Sequence, residues 1–170
     1  MNRARGTLSA GQLTPTKAKG AGIRWSRDVP AEIGSLSTLE GAQYADVFSG
    51  PLPAGSHRSA EAWARLALDV TLGRLRAPVL AIQRYGLGLR LEPRDRDHFL
   101  GWKVSAKGED WIRLQAASWF LSAEMVFKVE NTLRLGCFVR YDRRLGALVW
   151  PPASLLHRRA GLLMMRRVLR

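Results

Sequence analysis

The chain has few of the residues that would narrow its function. Its 170 residues include one cysteine, Cys137, and three histidines, His57, His98 and His157. A single cysteine excludes an internal disulfide and a zinc site built from several cysteines. No apolar run approaches the 18 residues of a membrane-spanning helix, and the N-terminal segment lacks the apolar stretch of a secretory signal. We therefore expect a cytoplasmic protein.

Acidic residues are scarce and unevenly placed. The chain has 14 acidic and 27 basic residues, a formal net charge of +13. Residues 1–27 hold six basic residues and no acid, residues 140–170 hold eight arginines and one aspartate, and residues 28–139 are balanced with 13 of each sign. Basic ends of this kind indicate either solvated surface or binding to nucleic acid or an anionic membrane. No recognisable nucleic-acid-binding motif accompanies them.

The N-terminal segment has the composition of a disordered tail. Residues 1–40 are rich in Gly, Ala, Ser, Thr and Pro and show little apolar periodicity. Such a segment offers too little apolar surface to offset the entropy lost on ordering. We predict a disordered basic tail over residues 1–40 and a single domain over residues 41–170.

One strand and two short helices are predicted at the start of that domain. Residues 44–48 have the composition of a strand, and Ser59 is a good helix N-cap. Apolar residues then recur at helical spacing from Trp63 to Leu75. A second short helix is predicted over about residues 78–85.

The middle of the chain alternates apolar and polar residues with a period of two. This pattern predicts an antiparallel meander with one buried face. The predicted strands cover about residues 100–104, 112–120, 125–129, 133–141 and 147–150, with turns at 107–110, 122–123, 130–131 and 142–146. Glu124 and Lys128 fall on the polar face, where we expect them to meet solvent.

A helix is predicted to end the domain. Pro151 and Pro152 should stop the last strand, and residues 154–170 then have helical spacing. The predicted apolar face consists of Leu155, Leu156, Leu162, Leu163, Met165 and Leu169, and the opposite face of Arg158, Arg159, Arg166 and Arg167. This order of elements predicts an α+β fold in which a curved antiparallel sheet of about six strands wraps a long C-terminal helix.

Several short stretches, taken in order, resemble a known family. They are residues 99–104 (FLGWKV), 114–116 (LQA) and 145–150 (LGALVW), followed by His157 in an arginine-rich helix. The order is similar to that of a bacterial domain-of-unknown-function family of the SRPBCC superfamily, which has the START-like helix-grip fold. Members sometimes follow an NAD(P)-binding short-chain-dehydrogenase-like domain. Here Lys103 replaces the usual arginine, the Pro-Phe-His motif is broken, and no Gly-x-Gly-x-x-Gly is present, so no cofactor is expected.

The resemblance implies a cavity between the sheet and the C-terminal helix. Relatives in the superfamily hold lipids, polyketides, hormones and other apolar ligands there, and some, such as aromatase/cyclases, are enzymes. The strand faces and the last helix give the candidate ligand-binding residues Trp102, Leu114, Ser118, Met125, Phe127, Cys137, Tyr141, Trp150 and His157. The same residues would also fill an ordinary core.

Three functions remain open from the sequence. The first is binding of an apolar small molecule, in a cavity of several hundred Å³. The second is a cyclase or dehydratase type of enzyme, for which Tyr141, Ser118 and His157 are the polar candidates. The third is a basic protein that binds nucleic acid or an anionic membrane through its arginines. No catalytic triad and no metal-ligand spacing is visible, and Cys137 is expected to be a buried apolar residue.

Overall fold

The computed structural model describes residues 22–73, 76–92 and 97–170. Most of the predicted tail, residues 1–21, and Leu75 lie outside this part of the chain. The described residues form an α+β fold, a seven-stranded antiparallel sheet with a long C-terminal helix. The strands are β1 Arg24–Ser26, β2 Tyr44–Pro51, β3 His98–Phe99, β4 Trp102–Lys107, β5 Trp111–Ala117, β6 Leu121–Val129 and β7 Thr132–Tyr141, in the spatial order β1-β2-β7-β6-β5-β4-β3.

Three of the four helices that the structure describes follow the predicted order, and the first, within the predicted tail, was not expected. The helices are α1 Ala31–Gly34, α2 Ala60–Arg65 with a wider π-helical turn over Leu66–Val70, α3 Arg76–Ala81 with a π-helical turn over Ile82–Gly86, and α4 Arg144–Val168. The predicted N-cap is confirmed, because the Ser59 side chain accepts a hydrogen bond of 3.2 Å from the Ala62 amide. Trp63 and Ala67 are buried as predicted, whereas Val70, in the π-helical turn, is 60% exposed.

The alternation of apolar and polar residues over 112–139 buries the apolar side chains in the sheet, as predicted. In β7, Leu133, Leu135, Cys137 and Val139 are all buried on the face that meets α4 and α2. One turn was misplaced: residues 122–123 lie inside β6, and the chain reverses at residues 118–120. There the Ser118 side chain accepts hydrogen bonds from the amides of Phe120 and Leu121, so these two backbone groups of the turn have an acceptor.

The prediction of a single buried sheet face is wrong, because both faces of the sheet are covered. The segment that covers the second face was predicted to be disordered, and that prediction is also wrong. Ile33 of α1 is fully buried against Val126 and Phe138, which point away from α4. Glu124, expected in solvent, is 2% exposed, because residues 37–38 lie over it. Its carboxylate accepts hydrogen bonds from Ser37, Thr38 and Gln115. Residues 24–26 and 31–34, within the predicted tail, therefore form β1 and α1 of the domain.

The C-terminal helix begins earlier than predicted. Residues 147–150 are helical rather than a strand, and Pro151 and Pro152 lie inside α4. The buried side of α4 is a stripe at helical spacing made of Gly146, Trp150, Ser154, Gly161, Met164, Met165 and Val168. Small residues in this stripe let the helix approach the sheet, since a Cβ on Gly161 would lie 2.4 Å from Phe48 Cζ.

Some leucines and arginines of α4 lie on the opposite side of the helix from the one predicted. Leu155 and Leu156, expected to face the sheet, are more than half exposed. Arg166 and Arg167 are exposed as predicted, whereas Arg158 is half-buried and places its guanidinium 4.9 Å from the centre of the Trp25 ring. Within the described ranges, no helix combines the length and apolar character needed to cross a bilayer.

Candidate functional site

A fully buried carboxylate lies at the centre of the interface between the sheet and α4. Asp46 lies between Tyr44 and Phe48 at every second position of β2, so all three side chains point to the same buried face of the sheet. Trp25 Nε1 donates to Asp46 Oδ2 over 2.8 Å, and Tyr44 OH donates to the same oxygen over 2.5 Å. His157 Nε2 lies 3.1 Å from Oδ2 and 3.2 Å from Oδ1.

These contacts keep Asp46 ionised. Burial raises the pKa of Asp46, but the hydrogen bond and charge of His157 and the hydrogen bonds from Tyr44 and Trp25 outweigh it, and the pKa lies below its ordinary value. Burial and the hydrogen bond to Asp46 raise the pKa of Tyr44, which therefore stays a protonated donor. An ionised carboxylate only accepts hydrogen bonds, so His157 Nε2 carries a hydrogen.

The remaining ring nitrogen of His157 is not used by the fold. Nδ1 has no hydrogen-bond partner among the described residues, so it accepts a proton when the ring is neutral. The ring itself is fixed by aromatic contacts, with centroid distances of 5.5 Å to Phe48, 5.6 Å to Trp150 and 6.1 Å to Tyr44. A histidine oriented by a buried carboxylate is the usual arrangement of a general base and its orienting group.

An apolar cavity of about 140 Å³ lies beside this pair, between β6, β7, the end of α3 and the middle of α4. It is lined by Val79, Ile82, Gln83, Leu87, Leu89, Trp102, Leu121, Ala123, Glu124, Met125, Cys137, Phe138, Val139, Trp150, Ala153, Leu156, His157 and Ala160. Ile82 and Leu156 are about half exposed, which places the opening beside them. The cavity is smaller than the several hundred Å³ expected from the sequence.

Few polar groups face this cavity. The titratable or amide side chains in its lining are His157, Gln83 and Glu124. Gln83 Oε1 already accepts a hydrogen bond of 3.4 Å from Trp102 Nε1, and the Glu124 carboxylate is already bonded to the residues that cover it. Trp150 is 5% exposed and its Nε1 has no hydrogen-bond partner within the described residues. A buried N–H without an acceptor costs about 1–3 kcal/mol, so a bound molecule that supplies an acceptor would recover this energy.

The structure brings together some of the residues named from the sequence. Trp102, Met125, Cys137, Trp150 and His157 line the cavity. Leu114 and Phe127 lie fully buried in the core rather than at the cavity wall. Ser118 belongs to the turn before β6, and Tyr141 lies half-buried at the end of β7.

Asp46, Tyr44 and Trp25 were missed. The signal for Asp46 was present in the strand at residues 44–48, because its period of two places an acid between two aromatic side chains on one face. A buried acid requires partners that donate hydrogen bonds. Trp25 could not be found in this way, since it lies in a segment that resembles a disordered tail.

Cys137 is the third reactive group of the site. It is directly opposite Asp46 in the pairing of β7 with β2, and it is buried. Burial, and to a lesser extent the charge of Asp46, raise the pKa of the thiol well above its ordinary value. No metal-ligand spacing is visible in the sequence, yet one donor atom from each of Asp46, Cys137 and His157 lies within 4.8 Å of the other two.

No protein family matches the chain, and the search of curated proteins finds no similar sequence.

Proposed function

We propose that the chain is a START-like helix-grip domain that binds one small, mainly apolar molecule between its sheet and α4. The observation that carries the proposal is the cavity of about 140 Å³, whose wall is apolar except at a few polar groups. A cavity of about 150 Å³ holds a molecule of the size of benzene. The ligand class is therefore a single-ring molecule with one hydrogen-bond acceptor.

The polar end of the ligand is assigned to Trp150. Its unpartnered Nε1 is the donor that an oxygen atom of the ligand would satisfy. Phenol and toluene have similar size, and only phenol has such an oxygen. We expect phenol to gain affinity from Trp150 and toluene to gain none.

Calorimetric titration of the full chain with phenol tests the proposal. Ala153→Leu places three extra carbon atoms at the cavity wall and should abolish binding. Ala147→Leu makes the same change at an exposed position of α4 and should leave binding unchanged. Trp150→Phe should lower the affinity for phenol more than that for toluene. Equal binding of phenol to the Ala153→Leu and Ala147→Leu variants would show that the cavity is not the binding site.

The pair of Asp46 and His157 favours a second candidate, an acid–base enzyme of cyclase or dehydratase type. His157 Nδ1 would accept a proton from a carbon atom next to a carbonyl group, and Trp150 Nε1 would donate to the developing enolate oxygen. Such a base exchanges the α-protons of a small cyclic ketone, because the proton that it accepts is replaced from solvent.

Proton NMR in D₂O follows this exchange with cyclopentanone as the probe. His157→Gln should reduce the rate to that of the solution without protein, whereas His57→Gln, a change at an exposed histidine, should not alter it. The absence of any acceleration by the unmodified chain would rule out the candidate for this class of carbon acid.

A further inference from the structure

Three side chains of different chemistry converge beside the cavity, and two of them, Cys137 and His157, line it. Asp46 and Cys137 are direct cross-strand partners, so both point to the face covered by α4. His157 projects from α4 onto the same place, and its Nε2 lies 3.1 Å from Asp46 Oδ2. One carboxylate oxygen, the thiol sulfur and one imidazole nitrogen all lie within 4.8 Å of one another.

We propose that Asp46, Cys137 and His157 bind a divalent ion of the zinc class, with a fourth coordination position open toward the cavity. Zinc bonds of about 2.0–2.3 Å in a tetrahedral site place ligand atoms about 3.3–3.7 Å apart. His157 Nε2 and Asp46 Oδ1 are 3.2 Å apart, slightly closer than this spacing, and the Cys137 sulfur has to approach by about 1 Å. Cys137 and His157 line the cavity, which supplies a path for the ion.

Charge balance supports a divalent ion at this place. Aspartate and thiolate together carry two negative charges, and an ion of charge +2 neutralises them, which removes most of the cost of burying charge. The bound metal deprotonates a coordinating thiol outright. One proton therefore leaves Cys137 for each ion bound, and the hydrogen on His157 Nε2 moves to Nδ1.

The contacts of Asp46 also suit a metal ligand. Trp25 Nε1 and Tyr44 OH both donate to Oδ2, which leaves Oδ1 with His157 as its contact. Carboxylates that bind metals are held by hydrogen bonds of this kind on the oxygen that does not coordinate. Thiolate and imidazole ligands favour zinc-class ions over magnesium or calcium, which prefer oxygen alone.

Titration of the chelator-treated full chain with Co²⁺, a spectroscopic substitute for Zn²⁺, tests the site. The expected result is one Co²⁺ per chain, with a near-ultraviolet absorption band from thiolate-to-cobalt charge transfer that Zn²⁺ removes by competition. Cys137→Ser should abolish the band. His157→Gln should weaken binding by more than about tenfold, and Trp25→Phe, which alters only the support of Asp46, by about 10-fold or more.

His57→Gln serves as the control for adventitious binding by an exposed histidine and should leave the titration unchanged. A titration without the band, or a band that persists in Cys137→Ser, overturns the proposal, provided that circular dichroism shows the variants folded. The proposal does not depend on the small-molecule ligand, because phenol binding can fail while Co²⁺ binds. A bound metal on His157 would exclude that residue as the proton acceptor of the second candidate function.

Discussion

Replacing Asp46 by asparagine should destabilise the domain by about 3 kcal/mol at neutral pH. The side chain keeps its shape, so the change isolates the charge and the loss of acceptor capacity. The carboxylate accepts from Trp25, Tyr44 and His157, all in a fully buried place. An asparagine has one oxygen acceptor, and its NH₂ group would face at least one of these donors.

The magnitude follows from the three hydrogen bonds. Hydrogen bonds to a charged group contribute about 1.5–3 kcal/mol and neutral ones about 0.5–1.5 kcal/mol, a difference of about 1 kcal/mol for each donor. Summed over the donors Trp25, Tyr44 and His157, this difference amounts to about 3 kcal/mol. With a urea m-value of about 2 kcal/mol/M, the unfolding midpoint should fall by about 1.5 M.

Urea unfolding of the chelator-treated protein, followed by tryptophan fluorescence and circular dichroism, measures the change. Trp25→Phe removes one donor and should cost about 1.5–3 kcal/mol in the wild-type background and about 1 kcal/mol less than that in the Asp46→Asn background. A loss below about 1 kcal/mol for Asp46→Asn would refute the conclusion that the carboxylate is held ionised by these donors.

The pH dependence has a definite sign. The native pKa of Asp46 lies below its ordinary value, so the unfolded chain binds the proton more readily than the folded one. The contribution of Asp46 to stability is therefore complete above the unfolded pKa of about 4, and it is lost as the pH falls through the native pKa. The difference in stability between wild type and Asp46→Asn should therefore shrink as the pH falls through that acidic range.

Three further substitutions test the fold. Glu124→Gln should lower the free energy of unfolding by about 1–3 kcal/mol and increase hydrogen exchange at residues 37–38, since that carboxylate holds the N-terminal segment on the sheet; unchanged exchange there would contradict this role. Gly161→Ala should destabilise the protein by about 1–3 kcal/mol in chemical denaturation, because the new methyl group overlaps Phe48, and a stabilised variant would show that the helix does not pack so closely. Pro152→Ala, at an exposed position inside α4, should raise the thermal midpoint, as proline costs about 3 kcal/mol in a helix interior; a lower midpoint would refute its helical placement.

Local patterns predicted the fold where they were strong. The period of two over residues 112–139 gave the strands and the buried face of the central sheet, because alternation leaves little freedom of register when one face is apolar. Ser59 marked a helix start through the chemistry of its side chain alone. The same alternation misled at Glu124, since the covering segment lies about 86 residues away and nothing local indicates it.

The prediction for the C-terminal region was wrong for a different reason. The prediction let Pro151 and Pro152 end a strand, whereas in the structure both lie on the exposed side of one continuous helix whose buried side includes Trp150 and Ser154. Helix propensity is a weak prior, and packing of one face against a sheet overrides it. The leucines of this helix were assigned to the buried side because they are apolar, yet part of that side consists of the small residues Gly146, Ser154 and Gly161, which let the helix approach the sheet closely.

The site could be predicted only one residue at a time. Cys137 and His157 were named from the sequence, but their neighbour Asp46 lies 91 and 111 positions away along the chain, so the convergence of all three depends on β2, β7 and α4 meeting. A buried Asp–His pair adds little stability compared with apolar residues of the same size.

Glu124 illustrates the structural use of a buried acid, because all its hydrogen-bond partners belong to the segment or strand that it holds. The Asp46 pair differs, because in the described part of the chain it leaves His157 Nδ1 without a partner, and because His157 lines a cavity. This ring nitrogen and the adjacent cavity of about 140 Å³ support the proposal that the pair binds a ligand or an ion in addition to stabilising the fold.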